Sequence, residues 1–356
     1  MLFELPEPER LYQALLDRNE SWDGRVYVCV KTTGVFCRLT CSARKPKFEN
    51  CRFFETVVEC LDAGYRPCKR CKPLMPSAQA DSNITVLLDA MEQSPDKRWS
   101  ENDIVQLGLD PSSVRRSFKR QYGVTFLEMA RQARVKEGFE LLSDGSRVID
   151  AQVGAGFESA SAFRSAFAQL LGTTPGGFSS DAELQACWFN TSLGAMIAVS
   201  DQSHLHLLEF SDRKALPAEL VRLCQSTAAA GVDKKIAIGF GKPPPAQQVE
   251  SELDDFFTGH RAKFTVPLAL HGTAFTQSVW HELQNIPAGQ TRSYSEVARL
   301  VGRPAAVRAV ARANGANQIA IVIPCHRVIG ADGSLTGYGG GLWRKQKLIE
   351  LERQYL

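Results

Sequence analysis

Ile323-Pro-Cys-His-Arg-Val328, close behind the apolar run Ile319 to Ile323, puts a thiol and an imidazole side by side on a segment that reads as a strand running into a turn. Cysteine attacks as the thiolate, so Cys325 beside His326, with Arg327 next along, stands where its pKa can fall and its sulfur can react. The alternative is a buried cysteine beside a structural histidine, a common fate for a free thiol. The flanking sequence decides between them.

Upstream, Thr273 to Leu283 has helical spacing, with Phe275, Val279, Trp280 and Leu283 on one face. Gly289 to Pro304 reads as a capped helix and a turn. Ala305 to Asn317 follows as a helix that carries Arg308 and Arg312 four apart. Two helices across a turn make a helix-turn-helix, and here it leads straight into the reactive segment. A reader helix feeding a nucleophile suggests chemistry on a base in duplex DNA. Such a base is inaccessible in the stack, so it must be flipped out and the gap filled by a side chain. Downstream, Gly337-Tyr-Gly-Gly-Gly341 lets backbone approach a base closely.

The chain has 356 residues, 44% hydrophobic and 23% charged, with a net charge of +3, which is ordinary globular composition for about two to four domains. The positive charge is clustered, from Thr32 to Lys72 and from Arg115 to Arg120, which suggests polyanion contact at chosen places. Met1 to Arg10 has no apolar signal-peptide core and no apolar run is long enough to span a membrane, so a cytoplasmic, nucleoid-associated protein is expected. In a reducing compartment, ten cysteines call for a metal or reactive chemistry before disulfides.

Seven of the ten lie between Cys29 and Cys71. Cys37-Arg-Leu-Thr-Cys41 and Cys68-Lys-Arg-Cys71 are two close pairs 26 residues apart, the pattern of a closed tetrahedral site for one zinc ion. Cys29, Cys51 and Cys60 have no such partners and are expected in the core. Around the pairs lie Arg38, Arg44, Lys45, Lys47, Arg66, Lys69, Arg70 and Lys72, a field suited to phosphate. Zinc with four thiolates is itself a dianion that opposes phosphate. Alkylating one sulfur halves that charge, so the site can act as a chemical switch of DNA affinity.

Pro76 to Asn83 reads as a linker. Beyond it, Trp99 to Asp110 and Pro111 to Tyr122 form two short helices, with Ser100 and Asp103 at capping-box spacing and Asp110-Pro111 as the next N-cap and first turn. In the second helix Val114, Phe118, Gln121 and Tyr122 face inward, while Ser112, Ser113, Arg115, Arg116, Lys119 and Arg120 face a groove. Val148 to Phe157 and Glu158 to Gly172 repeat the layout with a single basic residue, Arg164, on the reading helix. From about Cys187 to Phe210 the alternation of apolar residues predicts antiparallel strands. His204 and His206 share a strand face there, and nothing nearby completes a metal site. Pro243 to Pro245 reads as a rigid exposed connection and Glu250 to His260 as a short helix.

Gly156-Phe157, Phe163-Arg164, Phe167 and Leu171-Gly-Thr-Thr-Pro175 resemble the second half of the AraC-type DNA-binding domain, and the first helix pair fits its first half. Thr33-Gly-Val-Phe-Cys-Arg38 and Gly64-Tyr-Arg-Pro-Cys-Lys-Arg-Cys71 resemble the metal-binding domain of Ada-type adaptive-response proteins. The C-terminal motifs resemble the O6-alkylguanine-DNA alkyltransferases, so the resemblance covers essentially the whole chain.

It implies a multidomain α+β fold. Residues 1–75 would be a small zinc-binding α/β domain that accepts methyl from phosphotriesters, and 83–180 an all-α AraC-type double helix-turn-helix. Residues 183–268 would be an α/β ribonuclease-H-like subdomain, and 269–356 the helical alkyltransferase domain with its own helix-turn-helix. By the same resemblance Cys325 takes a methyl from O6-methylguanine, and also from O4-methylthymine. His326 deprotonates it through a water, and Glu352 orients His326. Cys37, among the zinc ligands Cys37, Cys41, Cys68 and Cys71, takes a methyl from a phosphotriester and so turns the protein into a transcriptional activator.

Arg308 matches the finger that replaces the flipped nucleotide, Tyr294 a tyrosine that rotates a phosphate, Asn317 a bracing asparagine and Tyr338 a pocket residue. Arg66, Lys69, Arg70, Arg115, Arg116 and Lys119 are the expected DNA contacts. Gly339 departs from the family at a position where a serine often donates to O6. Implied partners are alkylated and promoter double-stranded DNA and RNA polymerase, with no membrane and a monomeric chain. The competing reading is a zinc-dependent transcription factor that binds alkylated DNA without methyl transfer.

Overall fold

The structure, a computed structural model, describes residues 5–19, 22–24, 26–71, 73–74, 82–94, 97–179, 182–228 and 237–355. Lys72 and the expected linker as far as residue 81 lie outside the described residues. Two compact units result, Met1–Asp89 with Ile329–Thr336, and Ala90–Val328 with Gly337–Leu356. Among the described residues no helix is long and apolar enough to cross a membrane.

In the first unit, β1 (Tyr27–Val30) pairs antiparallel with β2 (Val35–Arg38) and with β3 (Cys51–Phe54), and β4 (Arg66–Pro67) adds parallel to β2. Alternation along the strands divides the sheet's contacts. Tyr27, Cys29 and Phe36 pack with Cys60 of α2 (Val57–Asp62). Val28 and Cys37 belong to the other cluster, with Leu11 and Leu15 of α1 (Pro8–Leu16), Trp22 and Leu39. Cys29 and Cys60 are core residues as expected, and Cys51 is half-buried.

After α3 (Ser82–Gln93), both predicted helix starts hold. The Ser100 hydroxyl accepts from Asp103 N and the Asp103 carboxylate accepts from Ser100 N at the head of α4 (Glu101–Gln106). Asp110 accepts from Ser113 N at the head of α5 (Pro111–Tyr122), with Pro111 in its first turn. The long α6 (Phe126–Ser143) separates this pair from α7 (Val148–Gly154) and α8 (Ala160–Leu171). The internal repeat shows in the caps: α5 and α8 both end on a left-handed glycine, Gly123 and Gly172, each with φ of 74°.

The second sheet runs β7-β6-β5-β8, from β5 (Leu184–Thr191), β6 (Gly194–Ser200) and β7 (Leu205–Phe210) as an antiparallel meander, with β8 (Ile238–Phe240) parallel to β5. The alternation read from the sequence does not become a wet face: every residue of β7 is buried. Helices cover both sides. One face joins α9 (Leu216–Ala228) and the core of α6 and α8, where Phe139 touches Phe167, Trp188 and Phe240. The other joins α10 (Pro244–Phe257) and the C-terminal helices. Pro243 to Pro245 is not an exposed connection. Pro243 is the N-cap of α10 and both it and Pro245 are buried, because a proline's fixed φ suits a first helical turn. That helix accordingly starts before Glu250 and ends before His260.

The C-terminal part has α11 (Ala274–Gln284), α12 (Tyr294–Leu300), α13 (Val307–Gly315) and α14 (Leu342–Glu352). The apolar run Ile319 to Ile323 is buried but is not a strand. It touches β7 at one bridge, where Leu208 N donates to the Gln318 carbonyl and Ala320 N to the Leu208 carbonyl, and then bends at Ile321, whose φ is 70°. Cys325 to Arg327 form one 3-10 turn. Side chains about 120° apart replace the opposite-pointing strand pair that the sequence suggested.

Candidate metal centre and active site

Cys37 lies in β2, Cys41 in the turn that follows it, and Cys68 and Cys71 around the turn after β4. Cys68 N donates to the Phe36 carbonyl, which ties the second pair to the strand that carries the first. The four Sγ atoms all lie within 4.8 Å of one another. Packed so closely, the thiols cannot ionise independently. Hydrogen bonds from Cys37 and Cys71 draw Cys41 down to about 2, while Cys37 is driven up by its hydrogen bonds to Cys41 and Cys71 and by burial. A dication reconciles such a group by holding all four as thiolates, and Zn²⁺ is the ion for a closed set of four sulfurs. Cys37 and Cys41 are buried and Cys68 and Cys71 half-exposed, so exposure does not single out Cys37.

The surrounding charges divide. Arg66, Lys69 and Arg70 are exposed beside the second pair. Arg38 is not part of that surface: it is buried, its guanidinium held by Asp23 at 3.3 Å and by the Cys71 carbonyl. Lys45 is half-buried and donates to the Leu39 and Cys41 carbonyls. On α5, Val114 and Phe118 are buried, Tyr122 is half-buried, and Ser112, Arg115, Arg116 and Lys119 are exposed. Arg115 is paired with Glu101 at 2.6 Å. Arg164 is exposed on α8.

At the second centre, Asn317 and Glu352 hold the reactive turn from opposite ends. Asn317 Nδ2 donates to the Ile323 carbonyl at 2.9 Å and reaches Cys325 Sγ at 3.1 Å, and its Oδ1 accepts from Ile319 N. Glu352 Oε1 accepts from His326 Nε2 at 2.8 Å, and both carboxylate oxygens are forked by Arg327 at 2.7–3.1 Å. His326 is fully buried, and with Nε2–H committed to a carboxylate its Nδ1 is left as the basic nitrogen, buried and without a partner. The Tyr338 ring stands edge-on to the His326 ring at 6.5 Å, and its hydroxyl is buried with no partner. Tyr294 is half-buried at the start of α12, and a Cβ on Gly337 would lie 3.5 Å from its hydroxyl. Arg308 and Arg312 are exposed on α13, whose buried face carries Asn314.

Three protein families match successive stretches. The metal binding domain of Ada covers residues 10–73, a helix-turn-helix domain 105–180, and the DNA binding domain of 6-O-methylguanine DNA methyltransferase 274–354. The bifunctional transcriptional activator/DNA repair enzyme Ada of Escherichia coli K12 is 34% identical over 353 residues, 97% of this chain and 96% of that protein. The chain belongs to the Ada family. A methylated-DNA–protein-cysteine methyltransferase of Mycolicibacterium paratuberculosis is 57% identical over 104 residues, 29% of this chain and 63% of that protein. The solved structure of Mycobacterium tuberculosis OGT in complex with DNA matches at 38% identity over 48% of this chain and 92% of that one, with a TM-score of 0.40. As an Ada-family member, the chain carries one zinc site of four cysteines and binds DNA.

The Ada-family resemblance did not disclose the buried ions around the active turn. Arg327 supplies Glu352 with a countercharge and also donates to the Ile286 carbonyl. Lys345, fully buried, donates to the Val328 carbonyl. Arg344 forks Asp212 at 2.8 and 2.9 Å and bonds the Leu193 and Gly340 carbonyls, which fixes the pocket loop to the turn after β7. Arg213 lies between Glu209 and Glu219 at 2.7 Å from each. A basic or acidic residue in an unremarkable strand or helix gives no sequence signal of such a role. His206 is likewise structural, as expected: it bonds His271 and Asp201, while His204 is exposed.

Burial lowers His326 below its ordinary 6.5, whereas His326 and Arg327 outweigh burial at Glu352 and hold it at about 2. Below pH about 6.5 the unfolded chain takes up a proton that folded His326 refuses, so stability falls as pH drops through that range. Glu352 adds stability that is present above its ordinary value of 4.5 and is lost as pH falls towards 2. Urea midpoints should therefore decline steadily from pH 7 to pH 4. His326→Gln should flatten the upper part of that decline.

Proposed function

We propose that the protein repairs alkylated DNA by moving methyl groups irreversibly onto two of its own cysteines, Cys325 from O6-methylguanine or O4-methylthymine and Cys37 from methylphosphotriesters. The second event converts it to a transcriptional activator. The observation that carries this reading is the Cys325 turn: a buried thiol touched by an amide donor, beside an imidazole whose tautomer is set by a buried carboxylate.

In the base reaction Arg308, exposed on α13, enters the duplex as the target base leaves it, and Tyr294 meets the adjoining phosphate. The flipped base lies in the Tyr338 loop. His326 Nδ1 takes the Cys325 proton through one water, and Asn317 stabilises the resulting thiolate. Sulfur attacks the methyl carbon, the S–C bond forms as the O6–C bond breaks, and the electron pair stays on guanine, which is protonated at N1. The thioether product has no good leaving group, so each site reacts once.

At the other centre zinc supplies one thing, four sulfurs kept as thiolates at neutral pH. Cys37 takes the methyl, the phosphate regains its negative charge, and the cluster loses one. Arg66, Lys69 and Arg70 then act on DNA against a weaker opposing field. Arg115, Arg116 and Lys119 read promoter DNA, and RNA polymerase is the partner recruited there. On this reading the protein works as a monomer in the cytoplasm, on the nucleoid. Its functional parts are 1–75, 83–180, 183–268 and 269–356. Intact-mass and peptide analysis after incubation with duplex carrying each lesion tests it. One methyl is expected on the Cys325 peptide and one on the Cys37 peptide. An unmodified Cys325 peptide rejects base repair, and an unmodified Cys37 peptide rejects the switch.

A further inference from the structure

Gly339 has no backbone reason to be glycine. In its loop Gly337 and Gly341 hold left-handed φ of 50° and 91°, and Gly339 is not among the positive-φ residues. What excludes a side chain is Arg213: a Cβ at 339 would overlap its Nη1 and lie 2.7 Å from its Cζ. The guanidinium has little freedom to step aside. Nη1 donates to Glu209 Oε1 at 2.7 Å, and Nη2 to Glu219 Oε1 at 2.7 Å and to the Gly315 carbonyl at 3.1 Å. Its Nε is buried with no partner. Cation and glycine are therefore matched, one in the turn after β7 and the other beside Tyr338 in the pocket loop.

We propose that Arg213 is a positioning residue for methyl transfer: clamped by Glu209 and Glu219 in the space a side chain at 339 would fill, its guanidinium seats the pocket loop and holds a fixed positive charge within electrostatic reach of Cys325. The inference rests on the function proposed above and deepens it. Burial raises the Cys325 thiol above its ordinary value, against the fall the sequence suggested; Glu209 adds to that rise, while the Asn317 hydrogen bond and the charges of Arg213 and Lys345 work against it. Tyr338 faces the same charges, and its hydroxyl is kept protonated by burial and by the Cys325 anion. His326, the remaining titratable neighbour, is held neutral by burial. In the assisted step Sγ–CH₃ forms as O6–CH₃ breaks, the electron pair leaves on guanine, and the thiol proton reaches guanine by way of His326.

The test is the single-turnover rate of methyl transfer to Cys325 in the full-length zinc protein, measured against pH with O6-methylguanine duplex. Removing a cation near a thiolate raises its pKa by about one unit or more, so Arg213→Met should slow transfer roughly 10-fold or more at neutral pH and move the rising limb to higher pH. Arg213→Lys should restore most of the rate and the position of the limb. Gly339→Ala should slow the native protein, yet add little to Arg213→Met, because the residue it collides with is gone. Burial raises Glu209 to about 8, so it is anionic over the alkaline part of the profile. Glu209→Gln keeps the cation and removes that opposing charge there, so its limb should move to lower pH, and it reports even where Arg213→Met fails to fold. A native rate and limb in Arg213→Met, or an unmoved limb in Glu209→Gln, overturns the assignment. If the native protein itself leaves Cys325 unmethylated, the proposed function fails instead.

Discussion

Cys325→Ala should transfer no measurable methyl from O6-methylguanine duplex, while a methyl still arrives at Cys37 from a phosphotriester. The nucleophile has no deputy, since the other cysteines of the second unit, Cys187 and Cys224, lie on β5 and α9, outside the turn that Asn317 and Glu352 hold. The loss is chemical and not a loss of fold. Cys325 Sγ makes one contact of note, from Asn317 Nδ2, and that amide also donates to the Ile323 carbonyl at 2.9 Å. Removing the sulfur therefore costs about 1 kcal/mol for that hydrogen bond and about 1 kcal/mol more for the packing lost in the core around it, against a total stability of roughly 5–15 kcal/mol. Glu352→Ala is the contrasting case. It strips the partner from both His326 and buried Arg327, a change of roughly 3–5 kcal/mol, so its inactivity would mix chemistry with unfolding. Peptide mapping of the Cys325→Ala protein, together with a melting curve, separates the two. Methyl on any other cysteine of the second unit, at anything near the native rate, would refute Cys325 as the acceptor.

What the sequence disclosed is local, and what it hid is long-range. The cysteine pairs, the capping box at Ser100, the N-cap at Asp110 and the inward face of α5 depend on residues within a few positions of one another, and spacing reports such relations directly. The reactive turn was half-legible. Its residues were evident, but an apolar run looks the same as a strand or as an irregular buried segment, and the decision was made by β7, whose Leu208 pairs with Gln318 and Ala320. The ions that shape the pocket were illegible. Arg344 meets Asp212 across 132 positions and Arg213 meets the Gly315 carbonyl across 102, distances at which charge pattern carries no information. Nothing in the sequence of the sheet between Leu184 and Phe240 ties it to the pocket, although the turn after β7 supplies two of the charged groups that hold the pocket loop.

Removing zinc should unfold the first unit's sheet and leave transfer to Cys325 intact. The four ligands are not appended to a finished core: Cys37 and Cys41 are buried members of the cluster that contains Leu11, Leu15, Val28 and Leu39, and Cys68 and Cys71 pack against it. A small core built around sulfurs has little else to hold it. Zinc binding by four thiolates is worth about 10–16 kcal/mol in small domains, as much as or more than the roughly 5–15 kcal/mol by which a whole domain is stable. The metal term therefore decides whether this sheet exists. Cys68→Ser, which spares Cys37 itself, should behave like chelation: loss of bound zinc, loss of amide protection in β1 to β3 and loss of phosphotriester transfer. The Cys325 site uses residues of the second unit, Asn317, His326, Arg327 and Glu352, and should keep its native rate. Retention of amide protection in β1 to β3 after zinc has been stripped would show that the sheet is held by its apolar cluster and that the metal serves chemistry alone.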